Sequence, residues 1–117
     1  MLFRVDPASS QPIFAQIAAS VRRELREGRL VVGDRLPSAK EVAASLDVNL
    51  HTVLRAYQEL RDEGLVDLRR GRGAVIVHPR AGAQASVIDA ARALARAATA
   101  AGLSQPEAAA LLAKEWS

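Results

Sequence analysis

The chain has 117 residues and a net charge of +3; half of its residues are hydrophobic, only 3% are aromatic and none is cysteine. That length suits one domain with a short appendage, and the missing cysteines exclude disulfides and thiolate-held zinc while fitting a reducing cytosol. No run of about 18 apolar residues is present to span a membrane, and Arg4 and Asp6 interrupt the apolar opening MLFRVDP, which excludes a signal-peptide core. The expectation is a soluble cytoplasmic protein with a core of Leu, Val, Ile and Ala. Residues 1–80 hold 13 Lys and Arg against 10 Asp and Glu, whereas 81–117 hold 3 against 3. The whole positive excess therefore lies in the first part, which points to a polyanionic partner.

The first predicted helix opens at Pro12, whose missing N–H would be unpaired in a first turn anyway. Ile13, Ile17, Val21 and Leu25 recur at four-residue spacing, with Phe14 and Ala18 widening the stripe. Arg22, Arg23 and Arg26 flank that stripe or project away from it, and Gly28 ends the helix. LVVGDRLPS follows as a connector with a turn at Gly33. Ser38 to Glu41 (SAKE) reads as a capping box, opening a short helix with Val42, Ala43 and Leu46 inward. Asp47 takes the sharp turn, since Asp tolerates left-handed geometry. Asn49 caps a third helix, and Val48 with Val53 has hydrophobic-staple spacing. This helix runs to about Glu63 and stops at Gly64.

Two helices joined by so short a turn form a helix-turn-helix. LVDLRR and AVIVH then read as strands of a β-hairpin around Gly71-Arg72-Gly73, with Leu65, Leu68, Val75 and Val77 on the buried side and His78 at the end of the second strand. PRAGAQA (79–85) shifts to a linker composition. A helix over about Ser86 to Ala101 follows, Gly102 ends it, and SQPE at Ser104 to Glu107 opens the last helix with a second capping box. The fold class is mainly α (α+β): a winged helix-turn-helix over 1–78, a linker over 79–85 and a two-helix dimerisation tail over 86–117.

In this design the second helix of the pair lies in the major groove, where base edges differ. Opposite its core stripe of Val53, Ala56, Tyr57 and Leu60, the third helix carries Leu50, His51, Leu54, Arg55 and Gln58, bordered by Asn49 and Thr52. Arg55 and Gln58 can hydrogen-bond base edges or phosphates, and so can His51. Leu50 and Leu54 either pack on thymine methyls or bury against the first helix. At the short helix, free N–H groups and Lys40 suit a phosphate, with Ser38 beside them. In the hairpin tip, Gly71 and Gly73 allow close backbone approach, while Arg69, Arg70 and Arg72 meet phosphates or enter the minor groove. A solvated turn is the alternative for the tip taken alone. The neighbouring helix-turn-helix favours the DNA reading.

Val87, Ile88, Ala91, Leu94, Ala95 and Ala98 on one tail helix, with Leu111, Leu112 and Trp116 on the next, form an apolar stripe too large to leave wet. It either folds back on its own chain or pairs with a second copy. Pairing is the expectation, because two-fold dimers are the commonest assembly and suit palindromic operators. The tail offers few polar groups to define a ligand pocket, so a small-molecule effector, where one exists, acts at the dimer interface. No catalytic or metal constellation emerges: His51 and His78 lie on different elements and the serines lack a visible base partner. The rival reading is a winged helix that binds protein, or binds DNA architecturally without sequence preference.

QPIFAQIAASVRRELREGRL, GDRLPSAKEVAASLDV, TVLRAYQELRDEGLV and RRGRGAVI resemble the GntR family of bacterial transcription regulators over roughly residues 10–78. The resemblance implies a winged-helix protein binding double-stranded DNA, usually a dimeric repressor, associated with the nucleoid. The short two-helix tail is similar to that of the YtrA-like subfamily, in which the tail dimerises the protein. By the same resemblance Lys40 stands where the family usually has a phosphate-binding Arg, and Arg70, Gly71 and Arg72 match the wing tip. Leu50 and Leu54 occupy positions that are often basic in the family, and Asp47 replaces its usual turn glycine, so base readout is expected to be weaker or T-rich.

Overall fold

The computed structural model describes residues 3–69 and 73–116. Five helices and a two-stranded hairpin follow one another along the chain: α1 (Ile13–Arg26), α2 (Ala39–Leu46), α3 (Leu50–Asp62), β1 (Val66–Arg69), β2 (Gly73–Ile76), α4 (Ala81–Ala100) and α5 (Gln105–Glu115). They fall into two compact units, residues 1–86 and 87–117. Among the described residues, no helix is long and apolar enough to cross a membrane.

In the first unit, Ile17, Ala18, Val21 and Leu25 of α1 face Val53, Ala56, Tyr57 and Leu60 of α3, all buried. Arg22, expected to flank that stripe or project away from it, is enclosed. It is only 2% exposed and donates from Nε to Glu63 Oε1 at 3.1 Å and from Nη2 to Glu59 Oε2 at 3.4 Å. A guanidinium is tolerated there because the carboxylates of Glu59 on α3 and of Glu63 at its C-cap meet it. Arg23 and Arg26 are exposed as expected.

The turn between α2 and α3 is set by local chemistry. Ser38 Oγ accepts from the Glu41 N–H at 3.1 Å, which satisfies one free donor of the first turn of α2. Asp47 sits in the left-handed region at φ 54° and ψ 51°, and the Val48 N–H returns to the Ala43 carbonyl. Asn49 Oδ1 then accepts from the His51 N–H at 2.7 Å to start α3. Val42 is fully inside, whereas Ala43 and Leu46 are half-buried. Tyr57 ties α3 to the connector: its hydroxyl donates to the Pro37 carbonyl at 2.6 Å. Burial pushes this phenol well above its usual pKa, so it remains a donor.

Register decides which side of the hairpin is covered. Val66 pairs with Ile76 and Leu68 with Ala74, while Asp67 pairs with Val75 and Arg69 with Gly73. Cross-strand partners share a face, so Val66, Leu68, Ala74 and Ile76 form the inner side. Val75, expected on the buried side, is buried as well, but on the opposite face, where the connector pairs with it, while Leu68 and Val77 are half-buried. Leu65 is buried as expected, just ahead of the strand. The connector also does more than link helices. Arg35 bridges to Val75, and the Gly33 and Leu36 N–H groups donate to the Ile76 and Ala74 carbonyls, each at 2.8 Å. The segment therefore acts as a third strand beside β2.

The linker expected over 79–85 is a second correction, since α4 begins at Ala81. Ala81 and Ala85 are buried, and a Cβ placed on Gly82 would stand 2.7 Å from the Leu25 carbonyl oxygen. The small residues that read as flexible are small because the start of α4 lies against the end of α1. Glycine to alanine inside a helix ordinarily gains about 1 kcal/mol. Here Gly82→Ala is expected to lose about 1–3 kcal/mol through the backbone clash. A denaturant melt with an unchanged or higher midpoint would show that α4 shifts freely.

The second unit holds the rest of α4 and α5. Gly102, at φ +75°, ends α4, with the Leu103 N–H on the Ala98 carbonyl. Both halves of the predicted box are present: Glu107 N–H to Ser104 Oγ at 3.3 Å and Ser104 N–H to Glu107 Oε1 at 3.0 Å. The Ser104 backbone N–H holds the Glu107 carboxyl below its usual pKa. The cap is therefore intact above the ordinary carboxylate range and weakens as pH falls through the lowered value. Ala98 and Ala108 are buried between the two helices.

Candidate nucleic-acid interface

With Val53, Ala56, Tyr57 and Leu60 turned inward, the helical period leaves His51, Arg55 and Gln58 on the outer side of α3. All three are exposed. Leu50, Thr52 and Leu54 are half-buried, so the two leucines are neither core residues nor fully free. Asn49 is exposed with its carboxamide oxygen committed to the cap. Arg55 has a neighbour that periodicity does not reveal: its guanidinium carbon lies 3.8 Å from the centroid of the Phe14 ring on α1.

Lys40 and Ser38 are both exposed at the start of α2. The Ser38 hydroxyl oxygen accepts from the Glu41 N–H, which leaves its own O–H free to donate, and Lys40 supplies the positive charge there. On the hairpin, Arg69 is exposed and its Nε meets Asp67 Oδ2 at 3.1 Å. A solvent-exposed pair of this sort is worth only about 0–1 kcal/mol and does not withhold the guanidinium from a stronger anion. Gly73 is exposed at φ +69°. Arg70, Gly71 and Arg72 lie outside the described residues.

Arg35 is a cation that sequence patterning does not single out. It is exposed, stands opposite Val75 and therefore shares the outer face of the sheet with Asp67 and Arg69. With Arg69 it lines a shallow cleft of about 380 Å³. Nothing in a connector composition signals this, because only strand pairing assigns Arg35 a face. A larger cavity of about 910 Å³ between the end of α1, the connector and α2 is lined by Glu24, Arg29, Asp34, Arg35 and Glu41 among others. Its mixed signs suit structural pairing, as in the contacts of Arg29 with Glu24 and Glu27, better than a polyanion site. Among the described residues, no group of three His, Cys, Asp or Glu is placed to hold a metal.

Residues 14–76, more than half of the chain, match the family described as bacterial regulatory proteins, gntR family. The chain belongs to the GntR family. Over 75 residues this GntR-family chain is 40% identical to the HTH-type transcriptional repressor YtrA of Bacillus subtilis, a match covering 64% of the chain and 58% of that protein. It thus aligns with just over half the length of that relative. The structure of YtrA from Sulfolobus acidocaldarius, described as a GntR-family transcription factor, superposes with a TM-score of 0.62 at 31% identity, covering 95% of this chain and 93% of that one. A GntR family transcriptional regulator from Listeria monocytogenes gives 0.64 at 27% identity, covering 94% and 98%. Coverage this high takes in the helical tail as well as the winged part, as fits the YtrA-like subfamily.

The tail presents its own surface. Val87, Ala91, Leu94, Ala95, Ala98, Leu112 and Trp116 line an apolar groove of about 720 Å³ within the second unit. Of the expected stripe, Ile88 and Leu111 lie outside that lining, half-buried and exposed respectively. Val87 is 64% exposed and Trp116 79%, which is much apolar surface for a small unit to leave in water.

Proposed function

We propose that this GntR-family chain is a sequence-specific regulator that acts as a homodimeric repressor on a palindromic operator. α3 enters the major groove, the arginines of the hairpin engage phosphates or the minor groove, and Lys40 grips a phosphate beside α2. The observation that carries this reading is the exposed His51, Arg55 and Gln58 face of α3, opposite a closed core stripe and on the helix that follows a capped short helix and turn. Purely electrostatic binding has no need of a carboxamide at that place. Leu50 and Leu54, half-buried, supply apolar contact for thymine methyls.

The tail supports the dimeric part of the proposal. Its groove is lined by apolar side chains that a second copy would cover, and a two-fold pair would present two copies of α3 to two half-sites. Cytoplasmic location with association to the nucleoid follows from that role. Selection from random duplexes is the test. The expected product is a two-fold motif whose half-sites lie about 34–36 Å apart. Retention on heparin with recovery of no shared motif would instead favour the architectural reading. A reporter placed behind the selected motif separates repression from activation.

A further inference from the structure

We propose that Phe14 is a positioning residue for DNA contact: its ring holds the Arg55 guanidinium along the α1 side of α3, so that Arg55 grips the sugar-phosphate backbone beside the groove rather than a base edge. This rests on the reading of α3 as the groove-entering helix. Phe14 belongs to the first turn of α1 and is half-buried, while Arg55 is exposed. Eight residues further along the chain from each, Arg22 of α1 meets Glu63, the C-cap of α3. The Phe14–Arg55 and Arg22–Glu63 contacts thus belong to one seam between two helices that run alongside each other, and Arg55 is drawn into that seam at its outer end.

A side chain that reads a base must extend away from the helix axis toward the groove floor. One that lies over a ring on the neighbouring helix runs laterally instead, toward the ridge of phosphates bordering the groove. At 3.8 Å from guanidinium carbon to ring centroid, the cation stands against the negative face of the ring. The N–H groups at the edge of the guanidinium stay free, and they form the planar fork that matches a phosphate. Holding a long side chain in place before DNA arrives removes part of the ordering that binding would otherwise require. Gln58 and His51, whose side chains have no such anchor among the described residues, are left to meet base edges.

The test is a double-mutant cycle on full-length protein: Phe14→Leu, Phe14→Tyr, Arg55→Ala and Phe14→Leu with Arg55→Ala. Affinity is measured on the selected operator and on an unrelated duplex across a salt series, with melts to show that each variant is folded. Arg55→Ala is expected to weaken both duplexes by a similar factor and to lower the slope of log K against log salt by about 0.9 for each phosphate it no longer neutralises. Phe14→Leu should weaken binding roughly two- to fivefold, Phe14→Tyr should retain it, and Phe14→Leu should add nothing once Arg55 is gone. The inference is overturned if Phe14→Leu has the same effect with and without Arg55, or if Arg55→Ala relaxes the preference at one base position while leaving the unrelated duplex unaffected. Wild-type protein that binds neither duplex would overturn the groove-entering role of α3, and this inference with it; the variant outcomes overturn this inference alone.

Discussion

Arg22→Ala is expected to destabilise the winged unit by about 3 kcal/mol, the low end of the range for removing one partner of a buried ion pair. Arg22 is 2% exposed, whereas Glu63 and Glu59 keep 12% and 25%. The carboxylates left behind can therefore recover some water, which keeps the loss from reaching the upper end. A loss of that size in a unit this small should lower the melting temperature by roughly 12–24 °C. The comparison is Arg29→Ala. Arg29 also meets two carboxylates, those of Glu24 and Glu27, but it is 56% exposed, and a pair so open to solvent and salt contributes little to stability. Calorimetry in which the two variants lose similar stability would show that burial is not what gives the Arg22 cluster its weight.

Placing a carboxylate in the tail groove, as in Leu112→Asp, is expected to separate the proposed dimer. Leu112 is 46% exposed in a single chain, so the substitution costs the isolated unit little, whereas a paired groove would have to bury an unpartnered charge. Light scattering at micromolar concentration should then report a mass near the 12.5 kDa of one chain, with wild type at twice that. Operator affinity should fall roughly 10²–10⁴-fold, because two linked half-site contacts become one. A wild-type mass already equal to one chain would end the dimer proposal. A variant that becomes monomeric and still binds the full operator as tightly would instead remove the tail from DNA recognition.

The helix-turn-helix and the exposed side of α3 are legible from residue order alone. Ser38, Asp47, Asn49, Gly64, Gly102 and the Ser104–Glu107 pair act through hydrogen bonds and backbone angles that close within a few residues, so residue type and spacing are enough to place them. The outward position of His51, Arg55 and Gln58 follows from the helical period once Val53, Tyr57 and Leu60 are assigned inward. What α3 does with those side chains is less legible. The ring beneath Arg55 belongs to another helix, and Arg35 gains a face only when its segment pairs with β2.

The same distinction explains the corrections. Arg22 and Glu63 are separated by 41 positions, and charge patterning along α1 alone favours the surface. Ala81, Gly82 and Ala85 have the composition of a spacer until α1 lies against them, at which point small size becomes the requirement for close packing. The parity of the hairpin depends on which strand residues face one another. Local chemistry along the chain therefore determined the caps that open α2, α3 and α5 and the turns that end α3 and α4. Only the tertiary structure decided which charges are buried, which strands pair and which small residues are packed, because each of those outcomes depends on a partner that the neighbouring residues do not specify.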